Sequence, residues 1–250
     1  MRCIRYTRFG GPEVLELHEA PLPQPAAGQL RLRVAGCGLN PIDYKTRSGL
    51  GWAAQALGSD FSFVPGYDVA GVVDAVGEGV TGVQVGDVLC GLVNAPLPGG
   101  GYAEYCVAPA QDLVAAPAVL SPAHAAGLPL AGLTAWQALF DAGQLQPGER
   151  VLVLAGAGGV GHLATQLAKW KGARVSATAS AANRDFLLQH GVDQPLDYQQ
   201  TGWEQAGPWD LILDLMGGAV GLQALDGLAS GGRLVTVPTT RFAAMMSASA

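Results

Sequence analysis

The stretch "VLVLAGAGGVGHLATQLAKW", residues 151–170, decides how the rest of the chain is read, because it holds a G-x-G-x-x-G at Gly156, Gly158 and Gly161. The bare pattern proves little. With 36 glycines in 250 residues, chance order gives roughly one match, and a second does occur in "GEGVTG" at Gly77, Gly79 and Gly82. Context separates them. A phosphate-holding loop needs a strand before it and a helix after it, since the first turn of a helix offers free N–H groups and a partial positive charge. "RVLVLAG" is an unbroken apolar, β-branched run suited to a strand buried on both faces. After the loop, Val160, Leu163, Ala164, Leu167 and Ala168 recur at helical spacing, Lys169 and Lys171 fall in the last turn, and Gly172 ends the helix. "ARVSATA" then completes a βαβ unit. "GEGVTG" is followed by "VQVGDV", alternation of period two with no helix, and reads as a turn between strands. The expectation is a dinucleotide loop over Gly156, Ala157, Gly158, Gly159, Val160 and Gly161.

Working outward, the two parts of the chain differ in period. Residues 1–118 carry short β-like runs broken by Gly and Pro, such as "LRLRVAGCGL" and "GYAEYCVAP", which suggests an antiparallel barrel or sandwich. From Ser121, an N-cap candidate followed by Pro122, the pattern turns helical. Strands near 150–155, 173–178, 195–198, 210–215 and 232–237 alternate with helices, the mark of a doubly wound parallel sheet of α/β class. The domains are therefore expected at 1–118 and 119–250.

Composition narrows the partners. The chain is 49% hydrophobic and 14% charged, so it has a sizeable core, and its net charge of −6 argues against nucleic acid or an anionic membrane. Every apolar stretch is interrupted before it could span a bilayer, and "MRCIRYTRFGGPEV" lacks the apolar core of a signal peptide. Cys3, Cys37, Cys90 and Cys106 are scattered without metal-ligand spacing and read as buried free thiols in a reducing cytoplasm.

Five blocks in order carry a family resemblance: "NPIDYKTRSG" (40–49), "PGYDVAGVVDAVGEGVTGVQVGDVLCG" (65–91), "GGYAEYCVAP" (100–109), "LPLAGLTAWQAL" (128–139) and "AGAGGVGHLATQLAK" (155–169). The chain resembles a zinc-independent member of the medium-chain dehydrogenase/reductase superfamily, in its quinone oxidoreductase (zeta-crystallin-like) branch. The resemblance implies a GroES-like β-barrel domain, a Rossmann domain and a homodimer. Members of the family continue further, with a sixth Rossmann strand and a return to the barrel. This chain is thus expected to be a C-terminally truncated form lacking the last strand, and marginally stable alone.

In NAD-binding Rossmann folds an acid at the end of the second strand bonds the ribose 2′-OH. Here that strand ends "SATAS" and no acid occurs from Arg174 to Asn183. Ser180 and Arg184 can bind a 2′-phosphate, which points to NADP(H), although Arg184 can equally be a solvated helix residue. The resemblance adds Tyr198 as a flank of the same phosphate, or else as ordinary packing.

Zinc-dependent relatives carry a cysteine where this chain has Asn40 and a histidine where it has Tyr67, so no metal is expected. Without a metal, the accessible reaction is hydride addition to a quinone or an enone, which spreads the charge into a phenolate or enolate that hydrogen bonds can stabilise. Asn40, held extended by Pro41, can bond the substrate oxygen or the nicotinamide ribose. The resemblance implies that Lys45 contacts the same ribose or the enolate oxygen, and that Thr134 touches the nicotinamide unless it is a helix-start cap. Tyr44 is either cavity wall or core, and Asp43 either orients backbone or performs acid–base work. The alternatives are an enoyl-thioester reductase, which shares every motif, and a non-catalytic NADPH-binding protein.

Overall fold

The computed structural model describes residues 1–57, 61–95 and 98–238, and the chain divides into two compact units, Met1–Leu130 and Ala131–Ala250. In the first, β1 (Arg2–Arg5) pairs antiparallel with β2 (Glu16–Glu19). A second sheet holds β3 (Gln29–Gly38), β4 (Asp68–Val76), β5 (Val88–Leu92), β6 (Tyr105–Pro109) and β7 (Val114–Ala115), in the order β6-β3-β4-β5-β7 and antiparallel throughout. Period two explains its inner face: Leu30 and Leu32 of β3 are fully buried against Val69, Val73, Leu89 and Cys106, a core typical of an antiparallel sheet.

Between β3 and β4 the chain forms α1 (Pro41–Arg47) and α2 (Gly51–Gln55). Past β7, Ser121 caps α3 (Pro122–Ala125), its hydroxyl accepting from the His124 N–H at 3.3 Å. Ala125 and Ala126 then pack on Ala70 and Cys90. Strand periodicity ends at the 118/119 boundary read from the sequence, whereas the packed unit continues to Leu130 because this helix lies on its sheet.

The second unit opens with α4 (Pro129–Trp136), which begins at the unit boundary and widens into a π-helical turn over residues 137–142. Then β8 (Arg150–Val153), α5 (Gly159–Trp170), β9 (Arg174–Ala179), α6 (Arg184–Gln189), β10 (Gln194–Asp197), β11 (Trp209–Asp214), α7 (Gly218–Ala224) and β12 (Leu228–Thr236) alternate as their periodicities predict. The strands are parallel in the order β10-β9-β8-β11-β12, five among the described residues. From β8 the chain steps outward to β9 and β10, then crosses to β11 on the other side. In sheets of this kind, ligands bind at that reversal, beyond the carboxyl ends of the strands. Both faces are covered: Val151, Val153 and Leu211 join one core, while Leu152, Ile212, Trp203 and Trp209 join the other.

Candidate active site

The loop from β8 to α5 is shaped by two kinds of glycine. A Cβ on Gly156 would meet the Ala177 Cβ at 2.6 Å, and one on Gly161 would run into the Ala155 carbonyl oxygen, so both are required for loop, strand and helix to close on each other. A Cβ on Gly159 would meet nothing within 4 Å. That space, beside the N-terminus of α5, is room for a ligand's phosphate. The left-handed residue of the loop is Ala155 (φ +55°), and the turn is pinned by Thr178, whose hydroxyl accepts from the Ala155 N–H (3.0 Å) and whose carbonyl accepts from the Gly156 N–H (2.8 Å).

Around this loop lies a cavity of about 390 Å³, lined by Ala157, Gly158, Thr178, Ser180, Asn183 and Tyr198, with Met216 and Val220 closing one side. Gly159, Val160 and Gly161 form the first turn of α5. Ser180 lies at the end of β9, where its hydroxyl accepts from Asn183 Nδ2 at 3.2 Å. The cavity lining contains no carboxylate. Arg184 begins α6 and is exposed, with no ion pair among the described residues. Thr134 lies in α4 two residues before its end, so it is not a helix-start cap.

A second cavity, of about 280 Å³, belongs wholly to the first unit and is lined by Leu15, Leu39, Asn40, Tyr44, Arg47 and Tyr102, with Pro41, Asp43 and Pro65. Helical phase selects these residues from α1. Asn40 caps the helix, and Tyr44 and Arg47 follow on the same side at helical spacing. Lys45, one step around the helix from Tyr44, is exposed outside the lining. Tyr44 is half exposed and forms cavity wall. The Asp43 carboxylate accepts from the Asn40 N–H (2.8 Å) and the Gly66 N–H (3.2 Å), holding backbone at both. Burial nevertheless raises its pKa above the ordinary carboxylate value.

Asp68, at the start of β4, is the residue behind Asn40. Its carboxylate accepts from Asn40 Nδ2 at 2.9 Å and from the Leu130 N–H at 2.9 Å. Burial pushes its pKa up to about 6 against the opposing effect of those two donors. Burial likewise raises the pKa of the Tyr102 phenol, and the residue lines the same cavity. Tyr67 is fully buried. Among the described residues no three His, Cys, Asp or Glu side chains converge as metal ligands do, and no helix is long and apolar enough to cross a membrane.

Reading residues by motif missed Arg47 and Tyr102 as cavity groups, Asp68 as the residue that holds Asn40, and Thr178 and Asn183 beside the loop. For Arg47 the signal was present, seven residues after Asn40 on a helix that starts at Pro41. For Tyr102 there was none, because its approach to α1 is tertiary.

Two family models match, the alcohol dehydrogenase GroES-like domain over residues 26–118 and the zinc-binding dehydrogenase model over residues 159–245. The 2-methylene-furan-3-one reductase of Solanum lycopersicum is 36% identical over 246 residues, covering 95% of this chain and 62% of that protein. The chain spans about three fifths of the length of such curated relatives. The solved quinone oxidoreductase of Coxiella burnetii superposes with a TM-score of 0.91 at 41% identity, over 99% of this chain and 78% of that one. A mycobacterial structure complexed with NADPH gives 0.81 at 34% identity, over 99% and 79%. Sheet order, glycine loop and these matches agree: the chain belongs to the medium-chain dehydrogenase/reductase superfamily, in its quinone oxidoreductase-like branch.

Proposed function

We propose that this chain forms the cofactor- and acceptor-binding parts of an NADPH-dependent, metal-free reductase of quinones or α,β-unsaturated carbonyls. The observation that carries the reading is the lining at the end of β9, where Ser180, Asn183 and Tyr198 stand and no carboxylate does. A carboxylate there would repel a 2′-phosphate, whereas three polar side chains with the cation of Arg184 nearby favour one. The relative solved with NADPH supports the same choice.

The glycine loop fits a pyrophosphate, with open space at Gly159 and the first-turn N–H groups of α5 to receive it. NADPH, when bound, supplies the hydride. In the first unit, Asn40 is held by Asp68 and presents its amide to the acceptor or to the nicotinamide ribose. The Tyr102 phenol donates to the oxygen on which charge develops, and the wall made by Leu39, Tyr44 and Pro65 excludes water from it. Lys45 and Thr134 are proposed contacts of the nicotinamide end, and a homodimer is the proposed assembly. The enone acted on by the tomato relative and the quinone of the Coxiella one are both acceptors of this type.

The test is a fluorescence titration of NADPH against NADH at moderate salt, followed by NADPH-dependent reduction of 1,4-naphthoquinone in the presence of chelator. Tighter NADPH and chelator-insensitive turnover are expected. Equal affinities, or one tightly held zinc per chain needed for turnover, would overturn the reading.

A further inference from the structure

The cavity of the first unit contains a cation for which the proposed reaction has no use. Arg47 reaches the lining from the last turn of α1, and its Nε donates to the Gly10 carbonyl at a long 3.4 Å. Among the described residues, neither Nη group has a hydrogen-bond or ion-pair partner. Asp43, the carboxylate in the same cavity, accepts instead from the N–H groups of Asn40 and Gly66 and makes no ion pair with Arg47 among the described residues. A half-buried guanidinium with two unengaged donor edges beside an apolar wall is a receptor for a planar anion. The remaining lining, Leu15, Leu39 and Tyr44 with Pro65, suits a flat conjugated ring. At about 280 Å³ the cavity is near the small end of ligand sites, with room for a one- or two-ring nucleus.

We infer that Arg47 sets acceptor specificity: the cavity takes a quinone or enone whose conjugated nucleus carries an anionic substituent, carboxylate or sulfonate, held by the two Nη groups. This deepens the reductase reading and rests on it for the word acceptor. The binding claim can be decided without turnover.

Equilibrium dialysis of the chain against 1,4-naphthoquinone-2-sulfonate and against 1,4-naphthoquinone measures it directly. The sulfonate should bind about tenfold or more tightly than the neutral ring, the scale of a charge-assisted pair. Arg47→Gln should remove that preference, and Arg47→Lys should restore part of it, because charge is kept and the planar fork is lost. Equal binding of the two quinones by the unaltered chain overturns the inference, as does a preference that survives Arg47→Gln. A variant that fails to melt cooperatively is replaced by Arg47→Met, which keeps the stem. If neither quinone is reduced with NADPH, the reductase reading falls while the ratio of affinities still decides the role of Arg47.

Discussion

The cavity at the glycine loop and the cavity beside α1 are built from opposite materials. The one at the carboxyl end of β8 is made of backbone, with glycines that let a loop, a strand and a helix approach, and its lining holds no carboxylate, thiol or imidazole. The one beside α1 is made of side chains, with a carboxyl and a phenol whose proton affinities burial has raised and an arginine with no ion pair among the described residues. A site that must hold the constant part of a cofactor can be written in main-chain atoms. A site that must choose a substrate needs side chains, and they bring desolvation costs with them.

The largest expected effect attacks the backbone site. Gly161→Val should place two methyls against the Ala155 carbonyl and the Gly156 Cα, abolish NADPH binding, and cost about 1–3 kcal/mol or more of stability as overpacking. Gly159→Ala is the contrasting substitution: its methyl meets nothing in the fold, so the melting temperature should hold while NADPH binding weakens. Undiminished NADPH binding by the Gly161 variant, read by fluorescence, would break the comparison.

Next in size is the pH response of the side-chain site. The folded pKa of Asp68, about 6, lies above its unfolded value near 3.8, so the folded state binds more protons between these limits. Its ionisation cost is therefore present in full above pH 6 and is relieved as pH falls toward 4. At about 1.4 kcal/mol per unit, the stability of the unaltered chain relative to Asp68→Asn should rise by roughly 2 kcal/mol from pH 7 to pH 4. Denaturant melts at several pH values measure this, and a flat difference would refute it. Asp43 is shifted in the same direction, is present in both proteins, and largely cancels.

Arg184→Ala should weaken NADPH by about 1–3 kcal/mol and leave NADH nearly unchanged, a difference visible in paired titrations. Equal losses for both would mean that the arginine does not read the 2′-phosphate. Smallest is Gly82→Ala in the second glycine match. Gly82 sits at φ +76° with nothing within 4 Å of its missing Cβ, so the cost is conformational alone, about 1–2 kcal/mol, with NADPH affinity untouched. Any effect on NADPH would show that the two glycine patterns are less different than their surroundings make them.

Legibility followed the same division. The strand, loop and helix of residues 150–170 are contiguous, and their periodicity survives into the fold residue by residue. The five parallel strands and the Ser121 cap were readable for the same reason. The side-chain site draws on Leu15, residues 39–47, Pro65 and Tyr102, segments that only tertiary pairing brings together. Within "NPIDYKTR", treating the residues as a motif rather than as a helix hid the phase that turns Arg47 inward with Tyr44 and leaves Lys45 outside. Asn183 was passed over because it is neutral, although its one-turn spacing from Ser180 places the two side chains in contact.

The division among the loop's glycines also predicts what a lineage would keep. Gly156 and Gly161 answer to the fold, since any side chain there meets neighbouring protein atoms, whereas Gly159 answers only to whatever fills the space beside it. Descendants that abandoned the nucleotide but remained folded would be free to drift at 159 while staying fixed at 156 and 161. The pattern of substitution at three positions would then record, separately, whether an ancestor needed its shape and whether it needed its cofactor.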